Sequence, residues 1–181
     1  MKLKPGMKMF DFDYETPWEK KNFYKTVHGK PCCLMFLRYY GCSTCQLSIR
    51  KLMKSYGKIQ EMGAELLIVL QSEPETIRGQ AEQGYFPFDI ICDLQQELYR
   101  RCEIGENPHP DQQSERLQEK IQEARSLGIQ HGKFEGNELQ APATVVMNQN
   151  QMITYVWYGE ESIDVPEEEE LFQLLREAQI Q

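Results

Sequence analysis

The feature that most constrains this chain is a continuous apolar segment that ends near a glycine and is followed by two closely spaced cysteines. The segment is Leu34 to Leu37, the glycine is Gly41, and two residues separate Cys42 from Cys45. From there apolar residues recur at helical spacing, at Ile49, Leu52, Met53, Tyr56 and Ile59. The pattern predicts a buried strand followed directly by a helix, with Cys42 at the start of the helix and Cys45 in its first turn.

The start of a helix is a chemically favourable place for a thiol. Unsatisfied backbone N–H groups and the helix dipole stabilise a thiolate at Cys42, and the three-residue step brings the Cys45 sulfur within reach. We therefore expect Cys42 and Cys45 to be the only redox pair of the chain, with two ordinary buried cysteines as the alternative. No second Cys-x-x-Cys or His-x-x-x-His is present to complete a zinc site, so we expect no metal and no other cofactor.

Length and charge restrict the class of protein. The chain of 181 residues is long enough for one domain, 1–181, with a substantial core. A net charge of −8 argues against nucleic acid and anionic membranes as partners, and no apolar segment reaches the length of a membrane span. The N-terminus lacks the apolar core of a signal peptide. We therefore expect a cytoplasmic protein, in which most of the six cysteines are reduced.

The first hundred residues predict strands that alternate with helices. The predicted strands are 9–13 at an edge, 32–37, 64–70 and 88–93, and the predicted helices are 17–27, 43–63, 74–84 and 94–101. This alternation predicts a largely parallel sheet that is covered on both faces. Cys32 and Cys33 are adjacent on one strand, so we expect them on opposite faces as small core residues.

A polar insert, residues about 103–140, separates these elements from a predicted β-hairpin, 142–157, and from a last helix that begins at Pro166. The insert contains one predicted helix, 114–126, whose apolar stripe is narrow: Leu117, Ile121 and Ala124. So little apolar area anchors a helix weakly, and weakly anchored segments open locally. We expect the insert to be a mobile cover that adjusts access to Cys42, and not a second domain.

This order of elements resembles the thioredoxin fold, and several segments are similar to the alkyl hydroperoxide reductase/thiol-specific antioxidant family, which includes the peroxiredoxins. The similar segments are 36–45, 86–93 and 142–148, and the resemblance extends from about Gly6 to Leu175. It implies an α/β thioredoxin-like fold: a central mixed β-sheet flanked by helices, with a helical insert before the C-terminal β-hairpin.

The chain departs from the peroxiredoxin pattern at the site itself. In the register that fits best, Cys45 takes the position of the peroxide-attacking cysteine, Cys42 replaces a threonine and Arg38 replaces a proline. The arginine that the family places at the start of the hairpin strand is replaced by Pro142. A proline there is the thioredoxin pattern, and it implies a cis Ala141–Pro142 bond beside Cys42 that offers the Ala141 backbone to a substrate peptide.

The first functional hypothesis is a thiol–disulfide oxidoreductase acting in antioxidant or redox exchange. Cys42, expected to be the more exposed sulfur, attacks a disulfide, and Cys45 resolves the mixed disulfide. Arg38 is a candidate to lower the thiolate pKa, and Ser43 and Thr44 are candidates to donate hydrogen bonds to sulfur, with solvated or helix-start roles as alternatives. The other candidate substrate-binding residues are Tyr40, Ala141 and Pro142.

Two further hypotheses stay open. The second is a thiol peroxidase that reduces hydroperoxides with Cys45 or Cys42 as the peroxidatic cysteine. The third is a non-enzymatic redox sensor or binding module, with the insert as its interaction surface. The expected partners of an enzyme are a disulfide-bearing protein, a small thiol or a hydroperoxide, and a thioredoxin or glutathione-type electron donor.

Overall fold

The computed structural model describes all residues from 1 to 181. Its strands are β1 (Asp13–Glu15), β2 (Lys20–Asn22), β3 (Cys32–Phe36), β4 (Glu65–Leu70), β5 (Asp89–Cys92), β6 (Ala143–Met147) and β7 (Ile153–Tyr158). Its helices are α1 (Phe23–Val27), α2 (Ser43–Glu61), α3 (Pro74–Arg78), α4 (Glu97–Arg101), α5 (Glu115–Ser126) and α6 (Glu168–Gln179). No helix combines the length and the apolar content needed to cross a membrane.

Five strands form one mixed sheet in the order β5-β4-β3-β6-β7. Strand β4 runs parallel to both β3 and β5, while β6 runs antiparallel to both β3 and β7. Helices cover both faces, which explains why the central strands are continuous apolar segments. The predicted central mixed sheet flanked by helices is confirmed.

Strand β3 lies at the centre of the sheet, and all five of its residues are buried. Cys33 and Met35 face α2 and α6, whereas Cys32, Leu34 and Phe36 face α1 and α4. The prediction that the two adjacent cysteines occupy opposite faces is confirmed. Because β3 is held on both sides and both faces, the chain that leaves its carboxyl end starts from a fixed point.

The N-terminal region differs from its prediction. The expected edge strand at 9–13 is wrong. The first strand, β1, begins only at Asp13 and pairs with β2 in a separate two-stranded sheet. The predicted helix 17–27 is reduced to α1, because the Thr16 hydroxyl accepts hydrogen bonds from the backbone N–H groups of Trp18 and Glu19 and turns the chain. The predicted helix 74–84 is also shorter, and α3 ends at Arg78.

The insert contributes one helix, α5, which packs against α2. Ser114 caps α5 by accepting a hydrogen bond from the Leu117 N–H group, as predicted, and Gly128 follows the helix with φ of +75°. Of the apolar stripe only Ala124 is fully buried, in a small cluster with Leu47 and Ile129. The insert as a mobile cover of a single domain stays a prediction.

A buried tyrosine holds the chain where β3 and β4 end. The Tyr99 hydroxyl lies 2.6 Å from the Leu37 carbonyl oxygen and 3.0 Å from the Val69 carbonyl oxygen. We predict that Tyr99→Phe lowers the free energy of unfolding by about 1–3 kcal/mol, because these carbonyls lose a buried donor. Thermal unfolding measures the effect, with Tyr85→Phe at an exposed position as the control. Equal melting temperatures for the two variants would contradict this role.

Candidate active site

The two cysteines occupy the start of α2, as predicted. Cys42 is the N-cap residue, its carbonyl oxygen accepts the hydrogen bond from the Gln46 N–H group at 2.9 Å, and Cys45 lies in the first turn. The six cysteines of the chain are all free thiols. A disulfide between Cys42 and Cys45 therefore stays a prediction.

The expectation that Cys42 is the more exposed sulfur is wrong, since Cys42 and Cys45 both have 0% exposure. The reason is a segment of the insert, residues 129–140, which we call the strap and which lies over the turn between β3 and α2. The Gly132 N–H group donates to the Gly41 carbonyl oxygen at 2.8 Å. A Cβ atom at Gly41 would lie 2.8 Å from the Lys133 nitrogen, so the close approach requires glycine.

Side-chain hydrogen bonds fix the strap on both sides of this contact. The Tyr39 hydroxyl and His131 Nε2 are 2.9 Å apart, and Gln46 Nε2 donates to the Gln130 carbonyl oxygen at 3.2 Å. On the sheet side, Gln71 accepts a hydrogen bond from the Asn137 N–H group at 2.9 Å. The strap therefore covers the two sulfurs with ordered backbone.

Two side chains outside the cysteine pair contact the Cys42 sulfur. Arg38 Nη2 donates to Sγ at 3.1 Å, and Thr44 Oγ1 lies 3.3 Å from Sγ. The other end of the guanidinium donates through Nη1 to the Glu138 carbonyl oxygen at 2.8 Å. Arg38 thus links the cysteine to the strap, and the expected proximity of Arg38 and Thr44 to the sulfur is present.

These contacts separate the pKa values of the two thiols. The hydrogen bond from the Cys45 thiol, the charge of Arg38 and the hydrogen bond from Thr44 hold the pKa of Cys42 well below its usual value, although burial opposes them. Burial and the adjacent Cys42 thiolate raise the pKa of Cys45 well above its usual value. These shifts favour the thiolate at Cys42 and the neutral thiol at Cys45. Burial raises the pKa of the remaining four, Cys32, Cys33, Cys92 and Cys102.

A cleft of about 680 Å³ lies between the start of α2 and the insert, and the residues that contact the buried sulfur form part of its wall. Arg38, Ser43 and Thr44 line it, which brings together three of the predicted site residues. Three residues that the sequence analysis did not assign to the site also line it: His131, Glu138 and Ser162. They come from the insert and from the chain after β7, and no sequence motif marks them.

The predicted cis bond at Ala141–Pro142 is wrong, because the structure contains no cis peptide bond. The backbone there is already paired. The Ala141 N–H group donates to the Gly105 carbonyl oxygen at 3.0 Å, and the Ala141 carbonyl oxygen accepts from Gln140 Nε2 at 3.0 Å. Both groups expected to pair with a substrate peptide are therefore occupied within the chain.

Pro142 and Tyr40 also pack within the chain. The Pro142 carbonyl oxygen accepts a hydrogen bond from the Gly159 N–H group at 2.9 Å. The Tyr40 N–H group donates to Ser72 Oγ, and its ring meets Phe86 edge-on at 6.0 Å. A substrate-binding role for these residues stays a prediction, and the lining of the cleft does not include them.

Comparison with known proteins identifies the class. The model of the AhpC/TSA family matches residues 5–156, and the chain belongs to that family. In general terms it is therefore a thiol-dependent oxidoreductase or peroxidase, of a family that reduces peroxides with thioredoxin-type reductants. No curated protein matches the chain.

Solved structures confirm the thioredoxin-like fold. The peroxidoxin BcpB from Mycobacterium tuberculosis is 14% identical, with a TM-score of 0.70 and coverage of 97% of each chain. AhpC from Enterococcus faecalis is 16% identical, with a TM-score of 0.67 and coverage of 99% of this chain and 94% of that one. A Chlorobium tepidum protein described as thiol:disulfide interchange protein DsbE is 15% identical, with a TM-score of 0.63 and coverage of 97% and 98%.

The contact between Arg38 and Cys42 generates a prediction about pH. We predict that Arg38→Met raises the pKa of Cys42, because the thiolate loses a positive charge and a donor. The rate of alkylation of Cys42 is then flat around neutral pH in the wild type but rises with pH in the variant, and at neutral pH it falls about tenfold or more. Peptide-resolved alkylation rates measure both profiles.

Arg50→Met, which removes an exposed arginine from α2, is the control and keeps the wild-type profile. An Arg38→Met protein that retains the flat profile would show that the guanidinium does not stabilise the thiolate.

Proposed function

We propose that the protein is a thiol peroxidase in which Cys42 attacks a hydroperoxide and Cys45 resolves the product. The observation that carries the proposal is the buried Cys42 sulfur, which receives hydrogen bonds from Arg38 and Thr44 behind a polar cleft. The sequence alone favoured disulfide exchange, because Pro142 and Cys42 replace the arginine and threonine of the peroxiredoxin pattern and because two features of disulfide exchange were expected. These features were a cis Ala141–Pro142 bond and a free Ala141 backbone beside Cys42. Neither feature is present.

Burial selects for a small oxidant. A protein disulfide must bring its sulfur and its flanking backbone to Cys42, which has 0% exposure under the strap. A hydroperoxide needs to deliver only two oxygen atoms past Arg38 and Thr44. The cleft of about 680 Å³ admits a molecule of this kind together with water.

The chemistry is balanced within the dithiol. The Cys42 thiolate attacks the terminal peroxide oxygen and the O–O bond breaks. The alkoxide leaves as an alcohol by taking up from solvent the proton that Cys42 released when it ionised. Cys42 is then a sulfenic acid. Cys45 loses its proton and attacks the Cys42 sulfur, the S–O bond breaks, and the hydroxide leaves as water. The product is a Cys42–Cys45 disulfide. Two thiols of a small-thiol donor, or of a thioredoxin-type donor after displacement of the strap, reduce it while they become a disulfide.

The arrangement supports each role by a different physical effect. The Arg38 guanidinium stabilises the thiolate by a charge-assisted hydrogen bond, and its contact with the Glu138 carbonyl oxygen holds its orientation. Burial and the neighbouring Cys42 raise the pKa of Cys45, which favours the protonated thiol in the resolving position, and oxidation of Cys42 removes the second of these two effects. The hydrogen bonds that Arg38 and Thr44 make to the Cys42 sulfur, together with the direction of the two pKa shifts, support attack by Cys42, contrary to the peroxiredoxin register that places Cys45 in that position.

Disulfide exchange is the second candidate, and the separated pKa values of Cys42 and Cys45 favour it as well. A low-pKa attacking thiol beside a high-pKa resolving thiol is also the arrangement used for exchange. A small disulfide can enter the cleft, whereas a protein disulfide requires displacement of the strap.

Steady-state turnover with one small-thiol, glutathione-type recycling system, corrected for the rate without the protein, distinguishes the two candidates. We predict turnover with an organic hydroperoxide and at least about tenfold slower reduction of insulin disulfides, because only the small oxidant reaches a sulfur under the strap. A Cys42→Ser variant is the control for both rates and is expected to lose them. Rapid insulin reduction without hydroperoxide consumption would show that the activity is disulfide exchange and not peroxide reduction. One oxidation event without turnover by either substrate would indicate a redox sensor.

A further inference from the structure

The Thr44 hydroxyl lies between two partners. Thr44 Oγ1 is 3.3 Å from Cys42 Sγ on one side and 2.8 Å from Ser162 Oγ on the other. Thr44 is only 3% exposed, whereas Ser162 is partly exposed and both line the cleft. A chain of one sulfur and two hydroxyl groups therefore connects the buried nucleophile with the cleft, although Ser162 is 118 residues from Thr44 in the sequence.

The chemistry of Cys42, Thr44 and Ser162 determines which group donates in each of the two hydrogen bonds. A hydroxyl group carries one proton, and a thiolate can only accept a hydrogen bond. When Cys42 is a thiolate, Thr44 must donate its proton to the sulfur. The Thr44 oxygen is then the acceptor toward Ser162, so Ser162 must donate. Hydrogen bonds in such a chain polarise one another, which strengthens the donor at the sulfur.

The turn that carries Ser162 is fixed independently of α2. Asp164 Oδ2 accepts from the N–H groups of Glu160 and Glu161 at 2.9 and 2.8 Å, and the Gly159 N–H group donates to the Pro142 carbonyl oxygen. A Cβ atom at Gly159 would lie 2.7 Å from the Asp164 Cβ atom. The serine hydroxyl is therefore held at its position before the site does any chemistry.

We propose that Ser162 is a positioning residue for Cys42: it orients the Thr44 hydroxyl so that the threonine proton points at the Cys42 sulfur. Without Ser162 the Thr44 hydroxyl rotates among acceptors and donates to the sulfur for only part of the time. Ser162 therefore favours the thiolate without contacting it. The consequence for turnover rests on the proposed function, but the effect on the thiolate does not.

Other groups around the sulfur set the size of the effect. The titratable and charged groups around Cys42 are Arg38 and Tyr39 from the segment after β3, Cys45 from α2 and Glu138 from the strap, whose carboxylate pairs with Arg38 at 3.9 Å. Besides the exposed Glu160, the turn that carries Ser162 holds the charged residues Glu161 and Asp164. They are paired with α5, through hydrogen bonds of Ser114 to Glu161 and an ion pair of Arg116 with Asp164 at 3.7 Å. We therefore expect a partial effect from Ser162, smaller than that from Arg38.

The test is the pH dependence of Cys42 alkylation, read by ultraviolet thiolate absorbance and by peptide-resolved rates, in the full-length protein. Ser162→Ala is expected to move the Cys42 titration to higher pH. Alkylation at pH values below the Cys42 pKa then slows about fivefold, the size of one ordinary hydrogen bond, and stays unchanged where the thiolate is fully formed. Ser162→Thr keeps a hydroxyl and is expected to retain the wild-type profile.

A double-mutant cycle separates positioning from a general structural effect. In Thr44→Val no hydroxyl remains to be oriented, so adding Ser162→Ala is expected to change nothing further. An equal shift from Ser162→Ala in the Thr44→Val background would overturn the proposal, as would a wild-type profile in Ser162→Ala alone. The titration uses no hydroperoxide. A protein that shows the Ser162 shift but reduces no hydroperoxide would therefore disprove the proposed function and leave this inference intact.

Discussion

The hydrogen bond from Arg38 to the Cys42 sulfur is the interaction on which the site depends. It requires that the backbone after β3 keep one conformation. Two features hold that backbone in place: β3 is buried on both faces, and the Tyr99 hydroxyl donates a hydrogen bond to the Leu37 carbonyl oxygen. It also requires that α2 begin at Cys42, so that the sulfur lies at the N-terminus of the helix. The Arg38 guanidinium and the N-terminus of α2 then both act on the Cys42 sulfur, and Arg38 Nη2 lies 3.1 Å from it.

The strap has two effects, one on the strength of this hydrogen bond and one on access to the sulfur. By covering the turn it removes Cys42 from water, and charges interact more strongly where water is excluded. Under the proposed function, the same cover keeps bulky partners away from the sulfur and leaves the cleft as the approach for small molecules. Two glycines, Gly41 and Gly132, allow the two backbones to meet, and Arg38 joins the cover to the thiolate through the Glu138 carbonyl oxygen.

Local patterns sufficed to predict the sheet and the position of the cysteine pair. Continuous apolar segments predicted β3 and β4 because these strands are covered on both faces, and the helical spacing after Cys42 predicted α2. The exposure of Cys42 was predicted wrongly, because the strap that buries it lies some ninety residues further along the chain. Ser162 was missed for the same reason, since its role depends on a hydrogen bond with Thr44, which is 118 residues away in the sequence. The trans Ala141–Pro142 bond differs from the cis bond that the resemblance to the thioredoxin pattern implied.

The order of attack is the central claim, and mapping of sulfenic acid tests it most directly. Cys45→Ser and Cys42→Ser proteins are treated with one equivalent of hydroperoxide and a sulfenic acid trap, and the labelled cysteine is identified by peptide mass. The account predicts label at Cys42 in Cys45→Ser and neither label nor peroxide consumption in Cys42→Ser. Label at Cys45 in the Cys42→Ser protein, with peroxide consumed at the wild-type rate, would contradict it.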